Sequence, residues 1–299
     1  MIICSLLFLA FLLFFPSIAV SGSRYGASLW LFELLPTLLP FFIAVRLFRF
    51  CLPRAADKKA FLLIGLLCGY PVGASLVTEQ YRRQLLTKEE AYFYLGFVNN
   101  PSPMFVMAYC ADRLLHLSSY KAVLLFGLLV LSSLAGSLLF YLCYHTAKKF
   151  HSPSPAPSLH PANSPGSMNE VKMSPSEVLD NIILESFQVM VTVGGYVILF
   201  SILGQLFHTI FAGDSVISIL GCGLLEISSG VSYLGDALMP TLYKRALMLA
   251  ILTFGGLSAA FQTSSIITKT GLSLIPYLLN KALNSLIAGI TALLLFRIF

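Results

Sequence analysis

Uncharged apolar runs of about 20 residues, the length at which a helix crosses ~30 Å of hydrocarbon, alternate with short charged clusters along most of the chain. The first, residues 2 to 20 (IICSLLFLAFLLFFPSIAV), has no basic residue ahead of it and predicts a first transmembrane helix or uncleaved signal-anchor within residues 1–25. Ala19-Val20-Ser21 has the small-x-small form that a signal peptidase cuts, so removal of this span is the alternative. The second span, 27 to 48, contains Pro36 and Pro40, each of which removes a backbone donor and predicts a kink. Arg46, Arg49, Arg54, Lys58 and Lys59 follow. By the positive-inside rule they are cytoplasmic, and the amino terminus lies on the same side.

Residues 60 to 80 (AFLLIGLLCGYPVGASLVTEQ) are apolar but broken at Gly69, Pro71 and Gly73. Each half of about eight residues makes roughly 12 Å of helix, less than half the membrane. Arg82, Arg83 and Lys88 place cytoplasmic charge on the far side as well. A re-entrant hairpin that enters and leaves on the inner face satisfies both facts. A helix over 89–110 is then predicted, interrupted at Asn99-Asn100-Pro101-Ser102-Pro103, followed by an ordinary span over 121–144. Residues 148–176 are rich in Pro and Ser, carry Lys148, Lys149 and Lys172, and predict a disordered cytoplasmic linker.

The second half repeats the first in outline. A span over 186–207 leads to a hairpin over 215–241, broken at Glu226-Ile-Ser-Ser-Gly230. A span over 244–268, broken at Gly255-Gly256, and a plain span over 276–296 complete it. Two repeats, 26–147 and 177–299, follow from this order. An odd number of spans separates the hairpins, so they open to opposite sides and the halves are inverted. Thirteen of the 19 basic residues then fall inside, counting Lys281, expected to snorkel to the cytoplasmic surface. Interrupted hydrophobic segments at corresponding places in two halves point to a transporter binding site near the bilayer midplane.

Composition agrees: 57% hydrophobic, 11% charged and a mean hydropathy of +0.85 exclude a cytosolic enzyme, a secreted disulfide scaffold and a nucleic-acid module. The net charge of +6 reports which loops stay in the cytoplasm rather than a polyanionic partner. Six cysteines form no CxxC pair and stand near no histidine in ligand spacing, so they read as packing residues, and no metal or organic cofactor is expected. Intramembrane HExxH, Ser/Lys and paired-aspartate motifs are missing, which argues against an enzyme.

Unwound backbone is tolerated in a membrane only where protein or a watery cavity covers it, so four breaks imply one shared cavity. The residues suited to line it and bind substrate are Tyr70, Asn99, Asn100, Ser102, Glu226, Ser228, Ser229, Ser258, Gln262 and Thr263. Gly69, Pro71, Gly73, Pro101, Pro103, Gly230, Gly255 and Gly256 would make the breaks themselves. Glu226, the one carboxylate at a break of these segments, suits a substrate or coupling-ion role (H+ or Na+), against a structural role as cap of the following half-helix. Asn99 and Asn100 have the parallel alternative of satisfying backbone freed by the prolines. Glu33 is open between pore and packing.

LLPTLLPFF at 34–42, GYPVGA at 69–74, TKEEA at 87–91, NNPSP at 99–103, LLEISSG at 224–230 and GGLSAAFQ at 255–262 resemble the sporulation integral membrane protein YlbJ family, grouped with nucleoside-recognition or Gate-domain proteins. The resemblance implies a bacterial cell-membrane protein with a core similar to the concentrative nucleoside transporters, where two opposed re-entrant hairpins and two broken helices hold the substrate. It also implies movement of dipicolinic acid during sporulation. The polar hairpin signature of nucleoside transporters has no counterpart at 69–74. The expectation is therefore an all-α polytopic transporter of a small anionic metabolite, its oligomeric state open. Its rivals are a nucleoside or other small-solute transporter and a non-transporting assembly protein of the sporulation membrane.

Overall fold

Hydrocarbon offers no water to a free amide or carbonyl, so the apolar runs close their hydrogen bonds within themselves as helices, and each run ends where proline, glycine or a capping side chain stops the ladder. The computed structural model describes residues 2–51, 57–149, 174–211 and 215–295. The core of the linker expected over 148–176 lies outside them, and helices reach its two ends.

Helix α1 (Ile2–Phe14) is followed by α2 (Pro16–Ser28), which passes through a π-helical turn (Leu29–Leu34) into α3 (Leu35–Cys51). Helices α4 (Asp57–Cys68) and α5 (Val72–Arg82) form one hairpin. Helix α6 (Lys88–Val98), opened by a Thr87/Glu90 capping box, breaks and resumes as a π-helical segment (Phe105–Leu114). The long α7 (Ser119–Lys149) closes the first half. The second half runs α8 (Pro175–Ile210), a hairpin of α9 (Val216–Leu225) and α10 (Ile227–Asp236), a broken helix of α11 (Thr241–Phe254) and α12 (Gly256–Ile267), and α13 (Leu274–Leu295). Long helix, hairpin, broken helix, long helix is the order in both halves.

Among the described residues, five helical stretches are long and apolar enough to cross a membrane: Pro16–Cys51, Ser119–Thr146, Pro175–Ile210, Thr241–Thr270 and Leu274–Leu295. The hairpin arms, 10 to 12 residues each, reach only about 15–18 Å. Leucines such as Leu131 and Leu142 on α7 and Leu286 and Leu294 on α13 face outward, while Asn99, Glu226, Asn280 and Lys281 are buried. An apolar exterior around a polar interior is the arrangement of a protein whose solvent is lipid. The main core joins both halves, packing Leu34, Leu38 and Phe42 with Phe105 and Tyr109 and with Val231, Leu234, Met248 and Leu249.

Two boundaries differ from the sequence expectation. The first apolar run is not one helix over 2–20: it breaks at Phe15, because the ring of Pro16 disfavours helical backbone at the residue before it and Pro16 itself starts α2. Ala19, at the expected cleavage motif, is therefore inside α2, whose Gly22 and Gly26 approach the backbone of α8 closely. Gly230 is not part of a break. It lies within α10, where its bare Cα meets Gly223 of α9 and lets the hairpin arms touch. A side chain there has no room, so Gly230→Leu is expected to destabilise the protein by about 2–3 kcal/mol through overpacking. Gly195→Leu, at an open position of α8, should melt like the parent; thermal unfolding of detergent-purified protein compares the two.

Candidate functional site

Each break has a local cause and a partner. Gly69 takes φ +68° and Gly255 φ +89°, backbone that a side chain strongly disfavours. At the tip of the α4–α5 hairpin, the Tyr70 amide donates to the Asn100 carbonyl (3.1 Å), tying the hairpin to the break in α6. A Cβ on Gly69 would sit 2.6 Å from that carbonyl oxygen. At the other hairpin, Glu226 is the tip: its backbone is extended (φ −146°, ψ 122°) between α9 and α10. Its Oε2 accepts from the Ser229 amide at 2.6 Å, so the carboxylate caps α10 where free amides and the helix dipole favour negative charge. The backbone at this tip lies against Gly256, whose added Cβ would stand 3.1 Å from the Ile227 nitrogen. Tyr70 crosses between the halves, with its hydroxyl 3.2 Å from where a Cβ of Gly255 would be.

The four breaks meet at one small cavity. Tyr70 lines it from the first hairpin, Pro101 and Ser102 from the break after α6, Glu226 and Ser228 from the second hairpin, and Ser258 and Gln262 from α12. Leu34, Leu38, Phe42, Phe105, Val193 and Val197 make its apolar walls. Two polar atoms on this wall, Tyr70 Oη and Gln262 Oε1, are buried without a hydrogen-bond partner, a costly condition unless something else binds them. Helix α12 begins at Gly256 with no side-chain cap, leaving its first amides to other acceptors.

The remaining sequence candidates stand behind the wall. Asn99 is fully buried: its Oδ1 accepts from the Ala74 amide (3.1 Å) and caps α5, while its Nδ2 donates to Thr263 Oγ1 (2.9 Å) and Tyr277 Oη (3.1 Å). Asn100 Nδ2 donates to the Phe97 carbonyl (2.7 Å). Ser229 Oγ pairs with Ser201 Oγ at 2.8 Å. Pro103 starts the helix after the break, and Gly73 stands close to the Val98 carbonyl (3.0 Å from an added Cβ). Glu33 pairs with Arg113 at 2.5 Å, which favours its packing role.

Lys281 corrects the sequence reading outright. It does not reach the surface; it is fully buried, and its Nζ donates to Asn100 Oδ1 (2.7 Å) and the Asn99 carbonyl (3.3 Å). Its neighbours Asn280 and Asn284 donate to the Tyr92 and Gly96 carbonyls of α6 (2.9 and 3.1 Å). Gly96 and Gly136 give these amides room. Three polar residues within five positions of an otherwise apolar span were the signal for this face. A second missed feature is a wide recess between α3, the first hairpin and α8, lined by Arg46, Arg49, Asn181 and Glu185. Arg46 pairs with Glu185 there, and Cys68 lines both this recess and the central cavity.

Hairpins, broken helices and cavity together define an all-α integral membrane protein built around a buried polar centre. The chain is similar to the sporulation integral membrane protein YlbJ of Bacillus subtilis (strain 168), 25% identical over 324 aligned residues that cover 94% of this chain and 78% of that protein. This similarity supports its assignment to the YlbJ family. No family model matches the chain. No solved structure matches it.

Proposed function

We propose that this protein carries a small carboxylated metabolite across the membrane by alternating access, with the central cavity as the binding site. The observation that carries the reading is the pair of unpartnered buried groups in a cavity to which all four breaks contribute: Tyr70 Oη, which can donate to a carboxylate, and Gln262 Oε1, which can accept from a donor elsewhere on the solute. The uncapped start of α12 favours a carboxylate, because half-helix amino termini direct amides and partial positive charge at anions. Tyr70, Ser228, Ser258 and the amide of Gln262 supply donors around it. The Glu226 charge is directed to α10, so it need not repel the solute; its remaining part would be coupling to H+ or Na+.

The recess bearing Arg46 and Arg49 fits the access route. Its arginines belong to the cluster that the positive-inside rule puts in the cytoplasm, and they would concentrate anions beside the cavity. The hairpins are then re-entrant and the two halves inverted about the membrane plane. Kinship with YlbJ makes a role in sporulation, with dipicolinic acid as the solute, the first choice among carboxylated metabolites.

A structural role in the membrane is the second reading, favoured by the caps that Glu226 and Asn99 make. Purified protein in liposomes, offered dicarboxylates and nucleosides with and without proton and sodium gradients, separates them. Dicarboxylate uptake is expected, with Gln262→Ala and Ser258→Ala each weakening it about tenfold, the equivalent of one hydrogen bond to a charged group. Uptake of nucleosides alone would replace the substrate, and uptake of nothing would leave the structural role.

A further inference from the structure

We infer that Lys281 is a tethered cation: its amine occupies a site built for a monovalent metal ion at the end of half-helix α6. The break after Val98 frees the Asn99 carbonyl, and the Asn100 side chain turns its Oδ1 toward the same point, held there because its Nδ2 is fixed on the Phe97 carbonyl at 2.7 Å. Ser133 Oγ reaches the same Oδ1 at 3.3 Å. A freed carbonyl, an amide oxygen and a nearby hydroxyl at the carbonyl end of a half-helix are the ligand set with which broken membrane helices hold alkali cations. Here Nζ fills the position, 2.7 and 3.3 Å from two oxygens of neutral groups.

Helix α13 supplies its own comparison. Where α6 is continuous, at Tyr92 and Gly96, α13 meets the carbonyls with the neutral amides of Asn280 and Asn284. It places a lysine only beside the break, where the helix ends and the carbonyls lose their partners. If mere satisfaction of carbonyls were needed, a third amide would serve. An amine carries in addition the charge that the helix end and the converging oxygens favour. This inference stands whether or not the cavity carries solute.

The test is thermal unfolding of the full-length, detergent-purified protein in choline, lithium, sodium, potassium and methylammonium chlorides. With Glu226→Gln introduced to silence the coupling-ion role proposed for that residue, the protein is expected to melt alike in all five. Lys281→Ala should melt lower in choline and recover by roughly 5 °C or more, saturably, in one alkali cation or in methylammonium, which restores the missing ammonium. Lys281→Met joined to Asn100→Asp, which adds a carboxylate ligand, should bind the same cation more tightly. A folded Lys281→Ala protein indifferent to every cation would reduce Nζ to a hydrogen-bond donor and overturn the inference. Should the Lys281 variants fail to fold, the Glu226→Gln protein still decides: a saturable sodium or potassium shift in it that is absent in choline would show a vacant ion site and sink the tethered-cation reading.

Discussion

Asn99→Ala is expected to lower the stability of the protein by about 4 kcal/mol, the largest effect of any single polar substitution in the cavity region. The side chain makes three buried hydrogen bonds to three separate elements: the Ala74 amide of α5, Thr263 of α12 and Tyr277 of α13. Alanine strands all three partners away from water at roughly 1–3 kcal/mol each, less whatever the two hydroxyls recover by rotating to other acceptors. The first hairpin would lose its tie to the second half, so the variant should show a lower melting temperature and greater protease sensitivity around residues 69–74. Thermal unfolding and limited proteolysis measure both. An unchanged melting temperature would mean that Asn99 is not the bolt between the halves.

Glu226→Ala should cost about 3 kcal/mol, because losing the charged cap of α10 leaves the buried Ser229 amide without its acceptor. Glu226→Gln keeps an acceptor oxygen at the same distance and removes only the charge, so it should fold nearly as well as the parent. The two substitutions divide the structural role of the residue from its chemistry. The expected outcome is that Glu226→Gln protein accumulates normally in membranes yet loses at least tenfold in gradient-driven uptake by liposomes. Normal uptake by that variant would leave Glu226 as the cap of α10 and nothing more.

Much of this site was legible in the order of residues. Gly69-Tyr70-Pro71, Asn99 to Pro103 and Gly255-Gly256 stop apolar runs where no polar surface excuses a stop, and membrane interiors make such stops too costly to be accidental. The convergence of these breaks on one cavity followed from the same cost, since each needs cover. Within that cavity the sequence could not separate wall from scaffold. Asn99, Asn100, Ser229 and Thr263 carry the same groups as Ser258 and Gln262, yet their partners, from 25 to 181 residues away where they are long-range, take up those groups.

The last helix shows the division most clearly. Its apolar length fixed α13 as a span, because only a helix satisfies its own backbone in lipid. The direction of Lys281 was another matter: a long side chain near a membrane surface can snorkel, and that assumption put it in the cytoplasm. What draws it inward is the pair of oxygens at Asn99 and Asn100, brought beside it by the packing of α13 on α6. Local sequence determined the helices, their ends and the residues at each break, since those depend on propensity and on proline and glycine nearby. Tertiary packing alone decided which polar groups face the cavity and which bind one another, because hydrogen-bond partners distant in the chain meet only when the two halves close.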